Sequence, residues 1–496
     1  MNYIDYASKS AFQRTIFKTI QGFKNLPKNI GNGIIFLGKA ILGFLLGIVF
    51  GIKNYFLRFI RGDFATKISF VIMGFGNIVR GQIIKGILLL AIEFSYILFM
   101  INFGWGYLQM FPTLGLIQQK SGLAECNILV NGDNSMHILL YSVMTILISI
   151  AVFFIYVAST KMAYKVETDV KEGRKPASFI SEFRDLFDKR YHTTLLTYPI
   201  VMISVFLIIP LIFMILIAFT NFDSNHQPQA YLFQWVGTQN FHDILGGNPL
   251  KAYTFKKLTE WTFVWAIIAT FSNYILGMIL ALMINKKGIK CKSLFRTMFV
   301  LTIAVPQFVT LLFMNQMLQD TGIVNTLLQS YGITHAPIQF LDKVNSILPK
   351  ATVLIVNLWV GIPYTILITS GILMNIPEEL YESARIDGAS PFKTFTKITL
   401  PYMLFVTTPY LITQFVGNLN NFNVIYLLTN GGPATANYYQ AGQTDLLVTW
   451  LFKLTTVDSN FKLAATIGII VFIICAAFTL ITFNMSKSAR NEEEFS

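Results

Sequence analysis

Four amide side chains stand close together in a long apolar stretch, and their chemistry is that of ligand recognition rather than covalent catalysis. Gln414, Asn418 and Asn421 are spaced i, i+4 and i+7, so on a helix they form one polar strip, with Asn420 beside it. A primary amide offers donors and acceptors without charge, which suits the hydroxyl groups of an uncharged polyol. Hydrogen bonding between membrane helices is the alternative use of each amide. For the strip as a whole we favour a ligand.

Three aromatic side chains could complete such a site by covering the C–H faces of sugar rings. Trp359 and Tyr364 lie in the run NLWVGIPY, and Phe415 adjoins the amide strip. Gly361 and Pro363 would interrupt the regular backbone hydrogen bonds of that run, which a membrane protein tolerates where a helix lines water or a ligand. Together these residues predict a site for an uncharged, ring-containing polyol.

The sequence offers no arrangement for metal, disulfide or nucleotide chemistry. Cys126, Cys291 and Cys475 fall in an outer loop, an inner loop and a membrane run, so no pair can meet. Gly76 and Gly81 have the glycine spacing of a phosphate-binding loop, but no Lys-Ser or Lys-Thr follows them. We therefore expect no catalytic residue, no metal, no cofactor and no ATP binding by that device.

Composition places these residues in a polytopic membrane protein. Of its 496 residues 54% are hydrophobic and only 13% are charged, well away from the usual composition of soluble domains. Eight runs are long enough to cross ~30 Å of hydrocarbon, so the predicted fold class is an all-α membrane protein with eight transmembrane helices. The runs are 84–103, 137–158, 195–219, 261–284, 296–317, 351–374, 402–427 and 463–485.

Loop charges orient these runs. Loop 160–193 carries eight Lys and Arg residues, whereas loop 104–136 carries only Lys120, so the first is cytoplasmic and the second is outside. Parity then places loops 285–295 and 377–401 in the cytoplasm, together with both termini. The basic residues behind the net charge of +13 cluster in the loops on one side of the membrane, as the positive-inside rule predicts. The charge therefore gives no reason to expect a nucleic-acid partner.

An additional apolar segment, residues 33–51, is broken only by Lys39 and has glycines at four-residue spacing. If it spanned the membrane, the basic N-terminal residues would lie outside, against the charge rule. We favour an interfacial or re-entrant accessory helix, with a ninth span as the alternative. Residues 1–32 and 52–83 would both be cytoplasmic or interfacial, with Arg58, Arg61, Lys67 and Arg80 near lipid head groups.

Glu93 is the one acidic residue deep inside a predicted span. Ionisable groups in a bilayer are costly and are often functional, but a hydrogen-bonded residue at a helix contact is the structural alternative, which we favour. An ion- or proton-coupled carrier would be expected to have several such groups. This weakens the hypothesis of a secondary transporter.

Residues 377–401, PEELYESARIDGASPFKTFTKITLP, form a polar interruption between two membrane runs and predict two short helices around a glycine. Pro377 suits a first helical position, and Gly388 stands where a left-handed residue would end the first helix. Ser390 is placed to cap the second helix, and Pro401 should end it.

The spacing of this loop resembles the EAA loop of ABC importer permeases, which reads E-A-A, three residues, G, nine residues, I-x-L-P. The one departure is Ser383, which stands where Ala is usual. In that family the loop is cytoplasmic and its helices occupy a groove on the ATP-hydrolysing subunit, so the resemblance implies that role for 378–400. The residues that carry it are Glu382, Ser383, Ala384, Gly388, Ile398 and Pro401.

A wider resemblance runs from about residue 80 to the end and is closest to the MalF-type subunit of maltose and maltodextrin permeases, within the binding-protein-dependent sugar permeases. The phrases that carry it are FTNF, WVGTQNF, NLWVGIPY, NNFNVIYLLTNGGP and GQTDLLVTW. It implies a type I ABC importer permease fold whose last six helices form the core. It also implies a sugar site midway through the membrane, at Trp359, Gly361, Tyr364, Gln414, Gly417, Asn418 and Asn421.

Two of these positions depart from the maltose permeases. Gly417 stands where they have an aromatic ring, and Gln414 stands where they have Ser. The smaller residue at 417 would enlarge the site, so we expect a maltodextrin transporter rather than a strict disaccharide transporter.

The resemblance implies a transport subunit and not an enzyme: the chain forms the pathway for maltodextrin or maltose, and a separate subunit hydrolyses ATP. The implied partners are a second permease of the MalG type, a homodimeric ATP-binding subunit, an extracellular solute-binding protein, the oligosaccharide and membrane lipid. A permease for another sugar or glycerol phosphate is the nearer alternative. The predicted regions are an N-terminal region 1–83, two extra spans with a cytoplasmic loop in 84–193, a six-helix core in 194–486 that contains the loop 377–401, and a cytoplasmic tail 487–496.

Overall fold

The structure is a computed structural model that describes residues 42–43, 46–117, 120–121, 129–130, 133–227, 232–286 and 288–485, and these are almost entirely helical. The chain divides into two compact units, the first ending at Trp235 and the second beginning at Val236. This division lies later than the predicted start of a permease core at 194, so the third span belongs to the first unit. The predicted bounds of the core stay a prediction.

The first unit contains three long helices and several short ones. The predicted accessory helix 33–51 lies largely outside the described residues, but residues 46–61 are helical, so a helix runs beyond 51. The only strands in the described residues are two short antiparallel ones, β1 (Lys120–Ser121) and β2 (Leu129–Val130). The helices are α1 (46–61), α2 (Phe64–Ile68), α3 (Phe75–Val79), α4 (Ile83–Met110), α5 (Ser135–Lys171), α6 (Phe179–Phe187) and α7 (Tyr191–Ile217).

The buried side chain of Arg80 ties the short helices α2 and α3 to the C-terminal part of α5. The Arg80 guanidinium contacts Asp63 Oδ1 at 2.5 Å and lies 3.7 Å from Glu167 Oε2, while the Asp63 backbone N–H donates to Glu167. Arg80 also donates to Thr66 Oγ1 at 2.8 Å. A buried charge is tolerated when it is paired and hydrogen-bonded, so this network compensates for the burial of its ions.

Glu93 is half-buried on α4, and its carboxylate accepts a hydrogen bond of 2.7 Å from the Met73 backbone N–H. That N–H belongs to the turn between α2 and α3. The contact favours the structural interpretation of Glu93, because the carboxylate satisfies a backbone donor that would otherwise be costly to bury.

The second unit is built on two long helices that pack side by side, α9 and α13. Asn248 caps α9 by accepting from the Lys251 N–H at 3.1 Å, and Pro249 occupies the first helical position. Its helices are α8 (Gln239–His242), α9 (Pro249–Asn285), α10 (Lys292–Ala304), α11 (Gln307–Met317), α12 (Ile323–Ser330), α13 (Ile347–Met374), α14 (Glu378–Ile386), α15 (Pro391–Thr394), α16 (Leu400–Leu419), α17 (Asn423–Thr429), α18 (Leu447–Thr456) and α19 (Phe461–Met485).

Six described helices are long and apolar enough to cross a membrane, or seven if α10 and α11 form one span. These two are bent by 87° around Val305 and Pro306, because proline lacks the N–H that would continue the helix. The predicted run 296–317 is therefore a broken element. The total of eight spans stays a prediction.

The predicted span 402–427 is wrong in its bounds. Helix α16 ends at Leu419, and the next helix begins at Asn423. The Asn421 side chain accepts from the Val424 N–H at 3.2 Å, so the polar side chain that interrupts the run also caps the helix that follows.

A buried ion pair holds the segment that follows α17. Asp445 is fully buried and accepts from Lys453 Nζ and from the Gly442 N–H, each at 2.7 Å. Gly431 has a φ of +74°, and a Cβ there would collide with the Asp445 carboxylate. Burial raises the pKa of that carboxyl, and Lys453 opposes the rise.

Candidate substrate cavity and coupling loop

A cavity of about 280 Å³ lies between α9, α13 and α16. Every described side chain that lines it is uncharged, and most of the polar ones are amides, phenols or hydroxyls. Such a lining can hydrogen-bond to a polyol but cannot neutralise an ionic ligand. The lining residues are Ala269, Thr270, Asn273, Tyr274, Gln307, Asn357, Val360, Gly361, Tyr364, Thr365, Ile368, Tyr410, Leu411, Gln414, Asn418 and Asn421.

Five of the seven residues predicted for the sugar site line this cavity. They are Gly361 and Tyr364 from α13, together with Gln414, Asn418 and Asn421. The strip was expected on one helix, but α16 ends at Leu419, so Gln414 and Asn418 line the cavity from α16 and Asn421 lines it from the turn that follows. Their role in binding stays a prediction.

Two amides of the strip also bond within the protein. Asn418 is 9% exposed, and its Nδ2 donates to Thr270 Oγ1 of α9 at 2.9 Å. Asn421 Nδ2 lies 3.4 Å from Asn418 Oδ1. Asn418 therefore links α16 to α9 by an interhelical hydrogen bond, which is the alternative use considered for these amides. Gln414 is exposed to the cavity at the other end of the strip.

The remaining two predicted residues lie outside this lining. Trp359 is 63% exposed and lines a smaller cavity of about 190 Å³, which shares Gln307, Val360 and Tyr364 with the main one. Gly417 is exposed, and a Cβ placed on it would meet nothing within 4 Å. A larger side chain would thus fit at 417, but it would not enter the cavity from this position without a change in the helix.

Two further expectations from the sequence are wrong. Phe415 is buried and stacks on Phe478, with ring centroids 4.2 Å apart, so it packs α16 against α19. Asn420 also lies beside α19, with its amide nitrogen 3.5 Å from Cys475 Sγ. Neighbouring residues on a helix point about 100° apart, so positions beside the strip turn away from the cavity.

Sequence reasoning missed seven polar residues of the cavity: Thr270, Asn273, Tyr274, Gln307, Asn357, Thr365 and Tyr410. Two of them, Asn273 and Asn357, have an amide atom without a partner in the part of the chain that the structure describes. Oδ1 of Asn273 and Nδ2 of Asn357 are buried and have no hydrogen-bond partner among the described residues. Unpaired buried amide atoms are costly unless a ligand or a water satisfies them, so both atoms are candidates for such a contact. A lone amide in each apolar run was the available signal.

Close contact between α9 and α13 brings these amides together. A Cβ on Gly277 would lie 2.6 Å from Thr365 Cβ, and a Cβ on Gly361 would collide with the Asn273 amide. Glycine at both positions lets the helices approach. Across the cavity, the Tyr274 hydroxyl bonds to Thr407 of α16 at 2.7 Å.

The loop 377–401 forms two helical segments around a turn, as predicted. Gly388 has a φ of +66°, and Ser390 caps α15 by accepting from the Lys393 N–H at 3.3 Å. Tyr381 and Thr399 join the segments through a 3.0 Å hydrogen bond. Pro377 precedes the first helix as its cap instead of starting it.

Pro401 does not end the second helix. A π-helical turn over Phe395–Thr399 leads directly into α16, in which Pro401 is the second residue. The wider turn accommodates a residue that cannot donate to the carbonyl four positions back. The loop is therefore continuous with a helix that lines the cavity.

The residues expected to carry coupling differ in accessibility. Glu382, Ser383 and Gly388 are exposed, whereas Ala384 is buried and Ile398 is half-buried. The exposed side offers a carboxylate and small residues to a partner, and the buried side fixes the loop to the rest of the chain.

Comparisons with known proteins agree with this architecture. Residues 273–490 match the family described as binding-protein-dependent transport system inner membrane component. The chain is 33% identical to the galactooligosaccharides transport system permease protein GanP of Bacillus subtilis, over 85% of this chain and 97% of that protein. It is 32% identical to the maltodextrin transport system permease protein MdxF of the same organism, over 85% of this chain and 95% of that protein.

The fold is also similar to that of a solved structure. A chain in the crystal structure of a bacterial alginate ABC transporter, in complex with its alginate pentasaccharide-bound periplasmic protein, matches with a TM-score of 0.50. The match covers 62% of this chain and 96% of that one at 20% identity. At this identity the likeness concerns the fold alone.

Proposed function

The chain belongs to the binding-protein-dependent permeases of ABC sugar importers, with relatives of the maltose and maltodextrin type, and on that premise we propose that it carries a neutral oligosaccharide, most specifically a maltodextrin, through the cavity between α9, α13 and α16. It is a multi-pass membrane subunit and not itself an enzyme. ATP is hydrolysed by a separate subunit. Both termini lie in the cytoplasm.

The uncharged lining of the cavity carries this proposal. A sugar can donate to Asn273 Oδ1 and accept from Asn357 Nδ2, the two buried amide atoms without a protein partner among the described residues. Tyr364 offers a half-exposed ring for stacking on a pyranose. An anionic substrate such as glycerol phosphate would need a cation here, and no described residue of the lining supplies one.

Coupling to ATP hydrolysis passes through the loop 377–401. Glu382 is exposed on α14 and pairs with a basic residue of the ATP-binding subunit, while the turn at Gly388 allows close approach. The loop runs without a break into α16, whose Gln414 and Asn418 line the cavity. Movement of the loop can therefore reach the substrate directly.

The partners follow from the same premise. They are a second permease of the MalG type, a homodimeric ATP-binding subunit and an extracellular solute-binding protein that delivers the sugar. A galactooligosaccharide is the second candidate substrate, because GanP matches at least as well as MdxF over a similar share of the chain.

Sugar-stimulated ATP hydrolysis tests the substrate. The chain is reconstituted in vesicles with its second permease, ATP-binding subunit and binding protein, and each sugar is added in turn. We expect maltotriose and longer maltodextrins to stimulate hydrolysis more than galactooligosaccharides of equal length. Stimulation by the galacto series alone would assign the second substrate, and stimulation only by an anionic substrate would refute the neutral-sugar proposal.

A further inference from the structure

A second, larger cavity of about 790 Å³ lies at the inner ends of α9 and α13, beside the coupling loop. It is bounded by the last residues of both helices, Asn285 and Met374, and by the start of α10. Both helices are long and apolar enough to cross a membrane, and the loop 377–401 is proposed to be cytoplasmic. The cavity would then lie where hydrocarbon gives way to head groups on that side. The sugar cavity shares none of its lining residues.

Cations outnumber carboxylates in this cavity. Among the described residues no ion pair within 4 Å joins any of these cations to a carboxylate, so the described lining keeps a net positive charge. The charged lining consists of Lys286, Lys292, Arg296 and Arg385 against Glu378 and Glu382.

Arg296 shows the imbalance most clearly. One of its terminal nitrogens contacts Asn285 Oδ1 and lies 3.5 Å from Met374 Sδ, both uncharged partners. Its Nε is buried and has no hydrogen-bond partner among the described residues. A partly buried guanidinium with an unpartnered Nε and only neutral contacts is favoured by an accompanying anion.

The start of α10 adds to the positive potential. Helix α10 begins at Lys292, and no side chain caps its first turn. Lys292 Nζ donates to the Asn285 carbonyl at 3.1 Å, so the ammonium is held at the cavity wall. The dipole of a helix N-terminus and an ammonium held in place both favour an oxyanion.

One wall of the cavity is apolar. Leu282, Leu373 and Ile376 line it, and Leu294 and Met298 are exposed on the neighbouring face of α10. A free inorganic anion would gain nothing from these side chains. A molecule with a phosphate at one end and hydrocarbon at the other would satisfy both halves of the site.

We propose that this cavity binds the head group of an anionic phospholipid, with its phosphate against Arg296 and Lys292 and the start of its acyl chains along the apolar wall. Basic pockets between membrane helices on the cytoplasmic side are suited to such head groups. The lipid lies against α14, the first helix of the coupling loop, through Arg385. Its occupancy therefore bears on the position of the coupling loop.

Retention of phosphatidylglycerol by the assembled transporter tests the proposal. The complex is titrated with phosphatidylglycerol in detergent, and native mass spectrometry counts the bound lipid. We expect Arg296→Gln and Lys292→Gln each to weaken retention about fivefold, the usual effect of one basic residue at an anionic membrane surface. Arg296→Lys should keep most of the binding. Lys393→Gln and Lys397→Gln, which remove exposed charges of the same loop outside the cavity, should bind as the parent does.

Several outcomes would overturn the assignment. Equal loss in the two control variants would mean that general surface charge retains the lipid. Displacement of the lipid by inorganic phosphate at equal concentration would assign a free phosphate site. Loss of the ATP-binding subunit from Arg296→Gln with unchanged lipid retention would assign the cations to a protein contact.

Discussion

Asn357→Ala should weaken sugar recognition without weakening the fold, which is unusual for a buried polar residue. Asn357 is 5% exposed, and its Nδ2 has no partner among the described residues. The substitution breaks no hydrogen bond of the Asn357 Nδ2 group within the protein. It also removes a buried donor, which is costly while it is unpaired. We expect the unfolding temperature of the assembled transporter to stay unchanged or to rise slightly.

The loss should appear in sugar binding instead. A hydrogen bond between a neutral amide and a sugar hydroxyl contributes about 1 to 1.5 kcal/mol, so the maltodextrin concentration that half-stimulates ATP hydrolysis should rise about five- to thirteenfold. Hydrolysis at saturating sugar should change less. The assay is ATP hydrolysis in vesicles across a range of maltotriose concentrations.

Asn418→Ala is the matched control, since the same amide is removed from the same cavity. Asn418 Nδ2 donates to Thr270 at 2.9 Å, and an interhelical bond of this kind contributes about 0.6 kcal/mol and up to about 1.7 kcal/mol. This variant should lower the unfolding temperature as well as affect the sugar. If Asn357→Ala destabilises the protein as much as Asn418→Ala and leaves the sugar dependence intact, the reasoning about unpaired amides is refuted.

Three further predictions concern coupling, topology and the segment after α17. Glu382→Lys should insert normally but abolish sugar-stimulated ATP hydrolysis, and normal stimulation would contradict the proposed contact with the ATP-binding subunit. A single cysteine at Ser390 should react with a membrane-impermeant maleimide only from the cytoplasm, and one at Thr435 only from outside; the opposite result would reverse every loop assignment. Lys453→Met should destabilise the chain by about 3 kcal/mol or more, because it leaves the buried Asp445 carboxylate unpaired, and Asp445→Asn in the same chain should recover part of the loss in thermal unfolding. Because burial raises the pKa of Asp445 above its unfolded value, the folded state holds that proton more tightly, so the stability of the Lys453→Met chain should fall as pH rises through the raised pKa.

Local signals in the sequence predicted the coupling loop well. Gly388 and Ser390 act through their own backbone and side-chain bonds, so their roles could be predicted from the residue types alone. Pro401 could not be predicted in the same way. Its effect depends on whether the preceding turn widens to a π-helix, and the sequence gives no signal for that choice.

The sequence predicted the cavity residues that follow a regular spacing along the chain, but not those that depend on tertiary packing. The spacing of Gln414, Asn418 and Asn421 would place them on one face of a continuous helix. In the structure α16 ends at Leu419, and Asn421 lines the cavity from the turn that follows. Asn273 and Asn357 have no such periodic partners, and they meet because α9 and α13 pack closely, an arrangement that depends on tertiary contacts.

The most direct test of the central claim is whether sugar protects the cavity during transport. The native cysteines are first replaced by serine. A single cysteine is then placed at Gln414, which lines the cavity, or at the control position Asn420, which faces residue 475 and not the cavity. During turnover with ATP and loaded binding protein, maltotriose should slow maleimide labelling at 414 and leave labelling at 420 unchanged. Equal labelling at 414 with and without the sugar would contradict a sugar pathway between α9, α13 and α16.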